Sequence, residues 1–183
     1  MRTGTMMMRL FNLALLGLSA AGPGMALAAV ENNVHFSGTL VAEPCVIPAG
    51  EENVRLEFGT VVDKYLYANQ RTHSQPFTIH LTECDPAIAP TLSVTFSGTP
   101  STALPGLLAL DAGSGASGVA IGLETQDGKA LPLEQISPVT VLVAGENRVT
   151  YQAYVQGEPG AIADRSIGHG EFTATANFSL NYE

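Results

Sequence analysis

The chain closes with the run Phe172-Thr173-Ala174-Thr175-Ala176-Asn177-Phe178-Ser179-Leu180-Asn181-Tyr182-Glu183. Every even-numbered residue from 172 to 182 is apolar or aromatic, and every odd-numbered residue from 173 to 181 is Thr, Asn or Ser. Successive side chains of a strand point to opposite faces, so this alternation predicts a β-strand that buries one face. No hairpin partner is expected to follow it. An ordinary last strand paired on both sides is one interpretation, and a strand with an open edge is the other.

The same period of two recurs along most of the chain and predicts further half-buried strands. Turn-forming residues separate the runs, as at Asp127-Gly128, Ala144 to Asn147 and Glu158-Pro159-Gly160. About seven or eight short antiparallel strands with such punctuation are typical of an immunoglobulin-like sandwich. Only 62–70 could form a helical turn. The predicted strands lie within 34–40, 77–81, 92–96, 119–123, 139–143, 149–155 and 172–182.

The first residues predict export. Arg2 and Arg9 flank the start of an apolar run, Leu10 to Ala21, and Ala26-Leu27-Ala28 follows. This run is too short to span a bilayer, and small residues of that spacing suit a signal peptidase, so residues 1–28 are expected to be a signal peptide. A retained N-terminal anchor is the alternative. The remaining residues, 29–183, fit one domain with a single core.

Two cysteines and a strongly acidic composition narrow the class of protein. Cys45 and Cys84 are the only cysteines, and an even count in an exported chain predicts one disulfide bond. A redox or metal-binding pair is the alternative, but it lacks the short spacing of such sites. Without residues 1–28 the chain has 6 Lys and Arg against 17 Asp and Glu, a net charge of −11. This charge argues against nucleic acid or anionic membranes as partners.

Residues 29–39 form a second alternating segment that precedes the first cysteine and could detach from the domain. An unpaired strand edge is a template for another chain, and a detached strand with alternating apolar side chains can fill it by β-augmentation. The two ends of the chain are therefore complementary in pattern.

Over the whole of residues 29–183, the chain resembles chaperone–usher pilus subunits of the type 1 fimbrial family. The resemblance rests on the order of the matching fragments around the two cysteines, on the Gly at the fourteenth place from the end and on the penultimate Tyr. The matching fragments are Val34-His35-Phe36-Ser37-Gly38-Thr39-Leu40-Val41, Leu56-Glu57-Phe58-Gly59, Phe77 to Cys84, Phe96-Ser97-Gly98, Ala116 to Ile121, and Gly170 to Glu183.

The resemblance implies an incomplete immunoglobulin-like β-sandwich that lacks its G strand and is completed by donor-strand complementation, a known form of β-augmentation. It implies a signal peptide (1–28), a donor-strand extension (29–39) and a pilin domain (40–183). The expected partners are a periplasmic chaperone, an outer-membrane usher and neighbouring pilus subunits. The expected product is a fimbrium at the cell surface that serves cell adhesion, with this chain as a shaft or minor structural subunit.

The resemblance also assigns two sets of site residues. Asn32 is polar where the family more commonly has an apolar donor residue, which weakens the outer end of the donor strand. The expected donor face consists of Asn32, Val34, Phe36, Gly38 and Leu40. The expected groove strand, which the chaperone would also contact, presents Gly170, Phe172, Ala174, Ala176, Phe178, Leu180 and Tyr182.

No constellation of residues predicts catalysis, a metal site or a cofactor. Residues 113–118 match G-x-G-x-x-G, but a strand rather than a helix is predicted after Gly118, so a flexible loop is the better interpretation. The histidines His35, His73, His80 and His169 are scattered. A carbohydrate-binding fimbrial adhesin is the alternative function; the length leaves no space for an additional lectin domain, and Trp, the best stacking surface for a sugar, is absent.

Overall fold

The computed structural model describes residues 34–183. The unit Leu40–Glu183 contains all of the helices and strands of this part of the chain, whereas residues 34–39 belong to a separate unit. The strands are β1 (Gln75–Cys84), β2 (Thr91–Gly98), β3 (Val119–Thr125), β4 (Thr140–Val141), β5 (Gly145–Gly157) and β6 (Ala176–Tyr182), and the helices are α1 (Asp63–Asn69) and α2 (Pro159–Asp164).

The six strands form two antiparallel sheets of three strands each, in the orders β1-β5-β3 and β4-β2-β6. Their side chains share one core, in which Leu81, Val94 and Val155 have no exposed surface. Phe96 of β2 meets Tyr151 of β5 edge to face at 5.1 Å between ring centroids. The two sheets therefore pack face to face as a sandwich, which is the predicted architecture.

The predicted disulfide bond between Cys45 and Cys84 is present. It lies beside a short ladder in which the N–H groups of Val46 and Thr82 each donate to the other residue's carbonyl at 2.8 Å. Closing a loop of 39 positions stabilises the fold by about 3 to 4 kcal/mol in the chain-entropy model. The bond thus joins the segment before β1 to the end of β1.

Several predicted boundaries were wrong. Residues 34–40 form no strand, because an extended segment needs a hydrogen-bonding partner and these residues have none among 34–183. The run 139–143 yields only the two-residue β4, and β5 begins at Gly145, inside the predicted turn 144–147. Glu158-Pro159-Gly160 leads into α2, since Pro is favoured in the first turn of a helix.

Other predictions are confirmed. The segment 62–70, which could form a helical turn, contains α1, although α2 is a second helix outside it. The strand β3 begins at Val119, directly after the glycine-rich loop. Asp127-Gly128 forms the predicted turn, in which the N–H of Gly128 donates to the carbonyl of Thr125 at 2.9 Å. Among residues 34–183 no helix has both the length and the apolar character needed to cross a bilayer.

Candidate functional site: an open strand edge and its groove

The C-terminal run has one face that is only half-covered. All six of its alternating apolar residues pack against the core, yet each keeps part of its surface accessible, whereas strands β2 and β5 bury theirs almost completely. The intervening residues 173, 175, 177 and 179 are exposed. The half-covered residues are Phe172, Ala174, Ala176, Phe178, Leu180 and Tyr182. The face that should be buried therefore lacks part of its cover.

The hydrogen bonds of β6 show which of its backbone groups are paired. Glu183 and Thr91 exchange two backbone bonds, of 3.1 and 3.2 Å, so they form a hydrogen-bonded pair of the β2–β6 ladder. Antiparallel ladders alternate hydrogen-bonded and non-bonded pairs, and the register continues from Leu92 opposite Tyr182 to Gly98 opposite Ala176. The odd-numbered residues of β6 thus direct their N–H and C=O groups toward β2.

In the segment before β6, the backbone groups of the odd-numbered residues are again the paired ones, but their partners lie outside β2. The carbonyls of Glu171 and Thr173 accept from the N–H groups of Gly115 and Asp111, both at 2.8 Å. The N–H of Thr175 donates to a carboxylate oxygen of Asp111 at 3.1 Å. Side chains supply part of this pairing, so residues 172–175 are not a regular strand and β6 begins only at Ala176. The predicted single strand 172–182 is therefore divided into two parts.

The even-numbered residues consequently have backbone groups that face away from every strand described here. No backbone hydrogen bond of residues 172, 174, 176, 178, 180 or 182 is found outside the regular ladders, and the ladder alternation excludes one to β2. These are the same residues whose side chains are half-covered. Unpaired backbone and incompletely buried apolar surface coincide along one edge, which is the geometry of a missing strand.

A second segment with unpaired backbone lies close to this edge. Within residues 34–183, the backbone of 52–61 forms no hydrogen bond with another backbone group, and Leu56, Phe58 and Val61 pack partly buried against the core. The ring centroid of Phe58 lies 6.3 Å from that of Phe172. We call the space between 52–61 and the edge of 172–182 the groove. A strand inserted there could bond to both sides.

The site assignment from sequence missed this wall of the groove. Leu56 and Phe58 belong to a fragment that carries the family resemblance, but the resemblance assigns neither of them to the site. The signal that could have found them is the alternation of Val54, Leu56 and Phe58 with Arg55 and Glu57.

The end of the groove near Tyr182 opens into a cavity of about 380 Å³. Burial raises the pKa of the Tyr182 phenol, and the nearby Glu43 carboxylate raises it further. The phenol is therefore protonated at neutral pH and can donate a hydrogen bond. The residues that line the cavity are Glu43, Cys45, Val46, Ile47, Leu180 and Tyr182.

Gly170 holds the start of the run against the glycine-rich loop. Its φ of +153° disfavours a side chain, and a Cβ there would lie 2.5 Å from the carbonyl carbon of Gly115. We expect Gly170→Ala to lower the free energy of unfolding by about 1 to 3 kcal/mol in urea titrations, because the loop must move away. Gly160→Ala is the control: a Cβ there meets open space in α2, and the change should be neutral or stabilising by less than about 1 kcal/mol. Equal effects of the two substitutions would contradict this role.

The predicted donor residues that the structure describes are exposed. Val34 is 78% and Phe36 is 90% exposed, and Gly38 has open space where a Cβ would stand. Leu40, at the start of the domain unit, is also fully exposed. Asn32, the predicted signal peptide 1–28 and its predicted cleavage site lie outside the described residues. Singly exposed apolar residues are common, but an alternating series of them is typical of a surface that binds a partner.

Among residues 34–183, no group of three or more His, Cys, Asp or Glu side chains is placed to hold a metal ion. Three of the histidines instead contact oxygen-bearing side chains at separate places in the fold. His73 lies 2.9 Å from the Tyr65 hydroxyl, His80 lies 2.9 Å from the Glu51 carboxylate, and His169 lies 3.1 Å from the Asp63 carboxylate. The histidines do not converge on one point.

Comparisons with known proteins relate the chain to one protein family. The family model described as "Fimbrial protein" matches residues 34–183. The Major MR/P fimbria protein of Proteus mirabilis is 33% identical over 182 residues, covering 96% of this chain and all of the relative. The fimbrial adapter PapK of Escherichia coli is 32% identical over 179 residues, covering 92% of this chain and 96% of the relative.

Solved structures match as well. The P pilus rod subunit PapA has a TM-score of 0.65 at 24% identity, covering 77% of this chain and all of the solved chain, and it supports the fold. A subunit from the structure of a chaperone–usher pilus has a TM-score of 0.65 at 26% identity, covering 84% of this chain and 96% of that one. The observed sandwich is thus the immunoglobulin-like pilin fold that lacks a strand.

Proposed function

Since this chain belongs to the fimbrial protein family and is a structural pilus subunit, we propose that it polymerises by donor-strand exchange. Its groove receives the N-terminal extension of one neighbour, and its own extension enters the groove of another. The observation that carries this proposal is the coincidence, along residues 172–182, of unpaired backbone groups with half-covered apolar side chains.

The energy available from filling the groove is large. Val34, Phe36 and Leu40 are exposed and of a size to contribute about 1.5 to 3 kcal/mol each when buried. Each ladder hydrogen bond adds about 0.5 to 1.5 kcal/mol, and a strand in the groove could form such bonds to 172–182 and to 52–61. A joint with several of each kind dissociates very slowly.

A subunit with an empty groove lacks those contributions to its stability, and its unpaired strand edge can pair with other chains and aggregate. A subunit that has not yet joined a neighbour therefore needs a temporary partner at this edge. We propose that a periplasmic chaperone supplies this cover, in contact with the run from Gly170 to Tyr182, and that an outer-membrane usher is where a neighbouring subunit replaces it. The relative solved as part of a chaperone–usher pilus supports this assignment. We further propose the division into a signal peptide (1–28), a donor extension (29–39) and a pilin domain (40–183), with export through the periplasm.

Amide hydrogen exchange tests the groove residue by residue. In the unjoined subunit, the amides of Ala176, Phe178, Leu180 and Tyr182 should exchange quickly, because they face the open edge. Joining should slow them by on the order of a hundredfold or more. The amides of Asn177, Ser179 and Asn181, already bonded to β2, provide an internal control and should be protected in both states. Unchanged exchange at the even positions on joining would refute donor-strand exchange in this groove.

A further inference from the structure

The first half of the C-terminal run is held by a loop and not by a strand. The β2–β6 ladder ends where Gly98 lies opposite Ala176. Within residues 34–183, the backbone groups of 171–175 form hydrogen bonds only to residues 111–116, which include part of the glycine-rich loop. These residues therefore take the place of β2 along this half of the groove.

The sequence Asp111-Ala112-Gly113-Ser114 explains how two side chains reach the run together. The N–H of Ser114 donates to the carbonyl of Asp111 at 3.1 Å, which closes a four-residue turn. Gly113 has a φ of +102°, and a positive φ at the third position of a turn favours glycine. The turn places the side chains of Asp111 and Ser114 against neighbouring parts of the same segment.

Both side chains bond to residues of the run that point away from the groove. One carboxylate oxygen of Asp111 accepts from the N–H of Thr175 at 3.1 Å, and the other accepts from the Thr175 hydroxyl at 2.9 Å. The Ser114 hydroxyl accepts from the N–H of Thr173 at 3.2 Å and donates to its carbonyl at 3.3 Å. Because Ala174 lies between these two threonines, the direction of its own backbone groups toward the groove is fixed as well.

We propose that Asp111 and Ser114 are positioning residues of the groove. They act through Thr175 and Thr173 and hold residues 172–175 in place, so that the open backbone groups of this half can pair with a donor strand. The proposal rests on the donor-strand function proposed above. Its consequence is that the two halves of the groove have different supports: β2 holds residues 176–182, and residues 111–116 hold residues 171–175.

Hydrogen exchange in the joined state tests this role. The chain 29–183 is refolded with an excess of a peptide of residues 30–41, and exchange is measured for single amides by NMR. The comparison is between a loop-held pair and a β2-held pair of amides, namely Phe172 and Ala174, and Phe178 and Leu180. In an Asp111→Ala chain, the loop-held pair should exchange about three to ten times faster than in the wild type, because the hydrogen bonds that support it are lost. The β2-held pair should be unchanged.

Three further variants show whether the effect belongs to these contacts. Asp111→Asn should restore nearly wild-type exchange, because its side-chain oxygen can accept from the N–H of Thr175 and its NH₂ group can donate to the Thr175 hydroxyl. Ser114→Ala should reproduce the faster exchange of the loop-held pair, since it removes the contacts to Thr173. Asp164→Ala removes the same charge at an exposed position of α2 and should affect neither pair.

The outcomes separate this proposal from the donor-strand function. If the peptide slows exchange of neither pair in the wild type, the donor-strand function itself is refuted. If the peptide slows both pairs and neither Asp111→Ala nor Ser114→Ala changes the loop-held pair, that function stands and the positioning role is overturned. Equally faster exchange of both pairs would assign the effect to a general loss of stability and would also overturn it. If Asp111→Ala does not refold, Ser114→Ala decides the question by the same comparison.

Discussion

A peptide of residues 30–41 will raise the thermal unfolding midpoint of the chain lacking residues 29–39 by about 15 °C or more. Three large donor side chains and the ladder bonds on both sides of the groove together contribute more than about 5 kcal/mol. For a domain of this size, each kcal/mol shifts the midpoint by about 2 to 4 °C. Circular dichroism or calorimetry at several peptide concentrations measures the shift.

The matched control is the same peptide with Phe36→Asp, which preserves length and most of the composition but places a carboxylate on the buried face. Burying an unpaired charge is strongly unfavourable, so this peptide should raise the midpoint by only a few degrees or not at all. If the wild-type peptide produces no rise, or if both peptides produce the same rise, the groove does not bind the extension.

The second large effect concerns Phe36 within the chain itself. We expect Phe36→Asp to reduce joining to the subunit whose groove the extension would enter by at least on the order of a hundredfold, since the loss of a buried aromatic ring and the burial of a carboxylate both oppose insertion. The chain's own groove is unchanged, so capture by the proposed chaperone should persist. A gel shift of the heat-resistant subunit complexes measures both properties.

His35→Asp is the control for this variant. Side chains alternate along a strand, so residue 35 would face away from the groove when residue 36 faces into it. The same new charge one position away should leave joining nearly intact. If His35→Asp blocks joining as strongly as Phe36→Asp, or if Phe36→Asp joins normally, the assigned donor face is wrong.

The two experiments test opposite sides of one joint. The peptide experiment asks whether the groove along 172–182 is incomplete, and the Phe36 variant asks whether the extension is the segment that completes it. The structure supports both from independent observations, namely the unpaired edge beside half-covered residues and the exposure of Val34 and Phe36. A chain with these two features is suited to forming linear polymers, because each copy offers one donor and one acceptor.

The sequence by itself determined the features that depend on local pattern. The period of two from Phe172 to Tyr182 is sufficient to predict a strand with one apolar face, since strand geometry alone sets the direction of successive side chains. Cys45 and Cys84, as the only cysteines, allowed a single intramolecular pairing. The strands around Phe77, Leu92 and Val149 followed from the same alternation.

Only the tertiary structure decided which strands lack a partner. Alternation predicts that one face of 172–182 is covered, but the residues that surround the run are distant in sequence: Phe58 contacts Phe172, and residues 111–116 hydrogen-bond to residues 171–175. The same limitation explains why 34–40, with an equally regular pattern, forms no strand here. A strand exists only when its backbone groups find hydrogen-bonding partners, and those partners are fixed by the packing of the whole chain rather than by neighbouring residues.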